Sequence, residues 1–239
     1  GFTCSAQRRE SILHYAGRKA VDVEGLGDAV VDKLISCDLI HNPADLYKLQ
    51  VSDLQKLDGY AELSAQNLIG EISEKKDISL TRFLFALGIP GVGEVGAKTL
   101  ADSLGTLARL RIAYPEVLML VPGIGADLAS SIRQFFQDKN NLQVVDSLIE
   151  QGVYVERDLP PNEALINTVS FAKFIEQLQI RRIGKGTSEK LATRFKGLSN
   201  LISASLAELN DAISEGASAV AVREYFDDSS SVNHALELE

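Results

Sequence analysis

Gly91 and Gly93 stand in the string Ile89-Pro90-Gly91-Val92-Gly93-Glu94-Val95-Gly96-Ala97-Lys98-Thr99-Leu100, where one apolar helix must stop and a helix of small residues begins. Val121-Pro122-Gly123-Ile124-Gly125-Ala126-Asp127-Leu128-Ala129 repeats the pattern, and Val23-Glu24-Gly25-Leu26-Gly27-Asp28-Ala29 is an earlier copy. The chemistry this spacing offers is anion binding. A tight turn that visits positive φ needs glycine, and a second glycine leaves no side chain over the hairpin. The first N–H groups of the next helix then lie bare at its positive end, where phosphate oxygens can accept their hydrogen bonds. Gly25, Gly27, Gly91, Gly93, Gly96, Gly123 and Gly125 are therefore read as contacts to nucleic-acid phosphate, with Lys98 one turn into its helix beside them. A single Gly-x-Gly before a helix is equally a plain interhelical turn. Recurrence decides for phosphate, because paired hairpins can hold both strands.

Other chemistry finds less support. Lys56-Leu57-Asp58-Gly59 matches the Lys-x-Asp-Gly string in which nucleotidyltransferases carry AMP on lysine, but it lies at the entrance to a helical hairpin. There Gly59 is the hairpin glycine of a further copy, Leu57 to Ala61, whose second glycine is lost, and Lys56 is not expected to take AMP. His14, His41 and His234 lack metal-ligand spacing and read as surface or packing residues. Arg8, Arg9, Arg18 and Lys19 form a basic stretch read as a general electrostatic surface. No arrangement for nucleophilic or paired-carboxylate catalysis stands out, so no catalytic residue is assigned.

The elements that position the glycines are helices. Apolar residues recur three or four apart over 29–36, 64–74, 80–87, 97–104, 128–136 and 142–151. Val153-Tyr154-Val155 is the one plausible strand fragment, and the segment 152–164, with Pro160-Pro161, reads as an extended linker. Beyond it the pattern returns at a shift of 91, with Phe83 to Ile89 opposite Phe174 to Ile180 and Gly93 opposite Gly184; after one deletion Phe135-Phe136 falls on Tyr225-Phe226. Arg182 replaces the first hairpin glycine of this copy, and Ile213-Ser214-Glu215 stands near the Gly123-Ile124-Gly125 position. The expectation is a helical core kept for packing or docking after its hairpin was lost, binding DNA poorly.

Composition bounds the rest. With 239 residues and 45% hydrophobic content the chain can bury a sizeable core. No apolar run reaches membrane-spanning length and no signal peptide opens the chain, so a soluble, cytoplasmic protein without membrane partners is expected. Cys4 and Cys37 make neither a disulfide framework nor a zinc site. The net charge of −9 opposes nucleic-acid binding until it is mapped: residues 205–239 carry −7 of it, while 79–113, with Arg82, Lys98, Arg109 and Arg111, carry +2. Gly1 enters mid-pattern, and the expectation is a piece of a longer protein.

Together these residues resemble the C-terminal half of the bacterial NAD-dependent DNA ligases. Cys4-Ser5-Ala6-Gln7-Arg8-Arg9-Glu10 is similar to the end of that family's four-cysteine zinc finger, with Cys4 at the last ligand. Asp22 to Asp28, Pro43 to Tyr47, Ser64 to Leu68 and Arg82 to Ile89 continue the match in order, over about residues 1–155. The resemblance implies a zinc-finger remnant over 1–20, a helix–hairpin–helix DNA-binding domain over 21–152, a linker over 153–164, a degenerate hairpin pair over 165–228 and an acidic tail over 229–239. The fold class is all-α: tandem helix–hairpin–helix repeats, RuvA domain 2-like, with a second, smaller domain. The implied role is to clasp duplex or nicked DNA by its phosphates, without sequence preference, in replication or repair. The other zinc cysteines and the adenylation and oligonucleotide-binding domains are missing here. The chain is thus expected to hold no cofactor and not to ligate, while NAD, Mg and Zn serve the whole protein. The family usually continues into a BRCT domain, whose strand pattern 164–227 lack. A helix–hairpin–helix glycosylase would need a catalytic lysine or aspartate pocket, which is not visible. The alternative is a helical protein-interaction module of a DNA-repair protein, favoured by the acidic tail.

Overall fold

Apolar residues at helical spacing become buried stripes throughout the computed structural model, which describes residues 5–57, 59, 61–155, 162 and 170–238. The chain divides into two units, one of residues up to 115 with 121–162, the other of 116–120 with 163 onward. The first begins with α1 (Ser5–Ala16), α2 (Asp28–Ser36), a 3-10 turn (Pro43–Lys48), α3 (Val51–Leu54) and α4 (Glu62–Glu74). It continues through β1 (Asp77–Ile78), α5 (Leu80–Ala86), α6 (Glu94–Leu104) and α7 (Leu107–Ile112). After α8 (Pro115–Leu118) come α9 (Ala126–Gln137), α10 (Lys139–Glu150) and β2 (Tyr154–Val155). The two short strands pair in parallel, Asp77 with Tyr154 and Ile78 with Val155.

Helix α6 shows how the sequence sets these elements. Ala97, Leu100, Ala101 and Leu104 fall at i, i+3, i+4 and i+7 and are buried, and Gly105 ends the helix in the left-handed region at φ +74°. Thr106 then caps α7 by accepting from Arg109 N at 3.2 Å. Leu100 is fully buried, as are Ile12 and Tyr15 of α1 and Leu34, Phe83, Ile132 and Val145 of the same unit. Helix α1 therefore belongs to the body of this unit, where a zinc-finger remnant was expected over 1–20; Cys4 lies outside the described residues. Much of the expected linker also lies outside them, but its start does not, since Tyr154 and Val155 are the strand β2.

The second unit takes in α8 from Glu116 onward, together with α11 (Phe171–Gln177), α12 (Lys185–Phe195), α13 (Leu198–Ile202), α14 (Leu206–Ile213), α15 (Gly216–Asp227) and α16 (Ser229–Leu238). It has its own buried cluster, with Ile175, Leu191, Leu201, Ile213, Val222 and Ala235 at the centre. The expected acidic tail is instead largely helical: α16 buries Ala235 and packs Val232 on that cluster.

The internal repeat extends to backbone conformation. Ser79 and Ser170 cap α5 and α11 alike, accepting from Arg82 N and Lys173 N. Phe135–Phe136 and Tyr225–Phe226 make the same edge-on ring pair at 5.2 and 5.1 Å. Gly88, Gly91 and Gly105 have φ of +61°, +82° and +74°; at a shift of 91, Gln179, Arg182 and Lys196 have +51°, +68° and +59°. The hairpin expected to be lost at Arg182 is thus present. Packing of the flanking helices holds a side-chain-bearing residue where glycine would relax, at roughly 1–2 kcal/mol for each such residue.

Candidate nucleic-acid interface

The hairpins of the first unit are tight turns. Val92 N donates to Ile89 O at 2.9 Å and Ile124 N to Val121 O at 3.1 Å. Pro90 and Pro122 take the second turn position, and Gly91 and Gly123 the third, at φ +82° and +81°. That is a type II turn, whose third residue requires positive φ. Gly25 and Gly59 have the same handedness at +84° and +88°.

The second glycine of each doublet answers a different need. Gly27, Gly93 and Gly125 are helix N-caps at φ −90°, −87° and −88° with ψ near 180°, an extended backbone open to any residue. A Cβ on any of them would meet nothing within 4 Å. None supplies a side-chain cap. Ala97 N bonds to Gly93 O at 2.8 Å and Ala129 N to Gly125 O at 2.9 Å, so the three N–H groups between each cap and that donor lack an acceptor inside the helix. Neither φ nor packing inside the protein asks for glycine here. What glycine leaves open is the approach to the bare donors. At Gly96 a Cβ would only touch Val92 at 3.6 Å.

Neighbouring hairpins are joined. Ser131 on α9 donates to Pro90 O at 2.9 Å, and a Cβ on Gly91 would stand 3.0 Å from Leu128. Glu24 N likewise donates to Glu71 of α4, at 3.3 Å, which with Lys75 holds that carboxyl below the usual range.

The charges near the hairpins are largely used within the fold. Lys98 pairs with Asp102 at 2.8 Å. Arg82 donates to the carbonyls of Ala20 and Arg18 at 2.6 and 3.0 Å, Arg109 to Leu104 O at 3.1 Å, and Arg111 pairs with Asp146 at 2.7 Å. The +2 expected around the third hairpin is therefore no free cationic surface. Two residues of the N-terminal basic stretch do more than expected. Arg9 holds Asp28, the first residue of α2, at 2.7 Å, and Asp32, whose carboxyl it lowers below the usual range by its hydrogen bond. Lys19 holds Glu94, the first residue of α6, at 2.6 Å. Each neutralises a carboxylate that would otherwise repel phosphate from the adjoining donors. Sequence reasoning missed both because the partners lie 19 and 75 residues apart.

The remaining candidates are surface or packing residues. Lys56 pairs in the open with Asp53 at 2.9 Å, and this bond with the N–H of Gln50 lowers the Asp53 carboxyl. His14 Nε2 lies 2.6 Å from Phe85 O, and His41 contacts Arg8. Among the described residues no group of three or more His, Cys, Asp or Glu could hold a metal ion, and Cys37 is exposed. No described helix is long and apolar enough to cross a membrane.

Paired hairpins with bare helix ends, repeated in two units, define a class. A family profile described as the helix-hairpin-helix motif matches residues 82–145 and 173–234, more than half of the chain, which belongs to that family. More particularly, the chain is similar to proteins named DNA ligase. That of Pseudomonas syringae pv. syringae strain B728a is 40% identical over 239 residues, and that of Pseudomonas aeruginosa strain UCBPP-PA14 41% over 242. Each alignment covers 100% of this chain and 30% of the relative, so the chain spans about 30% of their length.

Proposed function

We propose that the chain binds duplex DNA, nicked duplex included, through backbone phosphates held at the glycine hairpins of its first unit. The observation that carries this is the set of extended N-caps Gly27, Gly93 and Gly125, uncapped and with open space at every Cβ. Donors aimed at phosphate read no bases, so binding is independent of sequence and falls as salt rises. In the whole protein this part clasps DNA for an NAD-dependent ligase of replication or repair in the cytoplasm. Adenylation and oligonucleotide-binding domains there work with NAD and Mg, and a four-cysteine zinc finger holds Zn. The described residues of this chain build no zinc site.

Titrating a labelled nicked duplex with the full chain at two salt concentrations tests the reading. A Gly93→Val/Gly125→Val chain that melts near the wild-type temperature is expected to bind about tenfold or more weakly, having covered two phosphate sites. Unchanged affinity in that chain would overturn the phosphate-clamp reading.

A further inference from the structure

The second unit carries a charge pattern that the first does not. Residues 180–197 hold Arg181, Arg182, Lys185, Lys190, Arg194 and Lys196 against Glu189 alone, a net +5 in a chain of net −9. Three of these cations sit on the hairpin itself. Arg181 and Arg182 are the two central residues of the turn closed by Ile183 N to Ile180 O at 3.0 Å, and Lys185 is the first residue of α12. All three are exposed. Among the described residues no ion pair or side-chain hydrogen bond engages any of them, whereas the cations around the third hairpin are tied to Asp102, Asp146 or backbone carbonyls. Glu215 stands on the neighbouring junction, where it accepts from Ser218 Oγ at 3.1 Å rather than pairing with Arg182.

The first turns differ in the same sense. The post-hairpin helices of the first unit open with Asp28, Glu62, Glu94 or Asp127 in their first turns, while α12 has no acid in its first turn. Arg182 also occupies, at φ +68°, the place that glycine holds in the hairpins of the first unit. Glycine would fit the turn better, but it would remove a guanidinium from the tip. The free charge, rather than the helix end, sets this surface apart.

We infer that Arg181, Arg182 and Lys185 form a second, side-chain-based contact to the phosphodiester backbone of duplex DNA, in the unit expected from its sequence to bind DNA poorly. Where the first unit offers N–H groups, this hairpin offers unpaired cations, and its share of binding is the more salt-dependent one. The proposal goes beyond the reading above, which concerns the glycine hairpins, and rests on it only for the class of partner.

The test uses the full chain and a labelled nicked duplex over a range of salt. The variant Arg181→Gln/Arg182→Gln/Lys185→Gln is expected to lose about tenfold or more in affinity at low salt. Its plot of log affinity against log salt should flatten by about one for each side chain that meets a phosphate. Arg182→Gly, which keeps the turn, should weaken binding, and Arg182→Lys should restore most of it. A triple variant with wild-type affinity and slope overturns the proposal, and that is also the outcome if the patch serves an acidic protein partner. If Gly93→Val/Gly125→Val loses binding while the triple variant does not, the glycine-hairpin reading stands and only this proposal falls. If neither variant loses affinity, both fall.

Discussion

At Gly91 and Gly93, two glycines two positions apart meet opposite demands. Gly91 is required from within, by φ +82° and by Leu128 at 3.0 Å from any added Cβ. Gly93 has an extended backbone and open surroundings, so the demand comes from outside. Substitutions should therefore separate stability from binding. Gly91→Ala is expected to cost about 1–2 kcal/mol of stability through left-handed strain, seen as a lowered denaturation midpoint. Gly93→Ser should hold or raise stability by a few tenths of a kcal/mol, since serine caps a helix better than glycine. It should nevertheless weaken DNA binding, because the new hydroxyl occupies a donor that phosphate would use. Loss of stability in Gly93→Ser with binding intact would invert these roles.

At the level of elements, the two units share their caps as well as their apolar spacing. Asp138 begins α10 by accepting from Asn140 N and Asn141 N at 2.9 and 3.0 Å. At a shift of 90, Asp228 begins α16 by accepting from Ser231 N and from the hydroxyls of Ser230 and Ser231 at 2.7–2.9 Å. These donors favour the charged carboxylate and pull the Asp228 pKa down to about 2. The folded value lies below that of an unfolded aspartate, about 3.9, so the cap contributes its full stability above that pH. It loses that contribution as pH falls toward 2. The difference in thermal midpoint between wild type and Asp228→Ala should hold from pH 7 to about 4 and close by about pH 2. A gap that persists to pH 2 would mean that charge at Asp228 does not hold α16 in place. The same helix shows why its sequence misled. Its acidic residues suggested a solvated tail, but Val232 and Ala235, three apart, give it one apolar edge that the cluster buries.

Across the whole molecule, each unit encloses its own core, and the repeat places Leu100 and Leu191 at matching fully buried positions. Truncating either to alanine should cost its unit about 2–5 kcal/mol. Amide hydrogen exchange should report Leu191→Ala in α11–α15 and leave α6 protected; loss of protection in both would show one shared core. Much of this architecture is local and was legible in the chain alone. Helical period reveals which faces are buried, and a glycine doublet after an apolar run announces a turn through positive φ, because both depend only on near neighbours. Three things waited on the tertiary structure. Gln179, Arg182 and Lys196 adopt a conformation that their own preferences disfavour, so only the packed helices around them decide that the second unit's hairpin keeps its turn. The charges of Arg82, Arg109 and Arg111 are taken up by carbonyls and by a distant aspartate, which composition counts as free. Arg9 and Lys19 guard the hairpins from far along the chain. Whether a charge is free depends on what folding brings beside it, and near neighbours in sequence do not decide that.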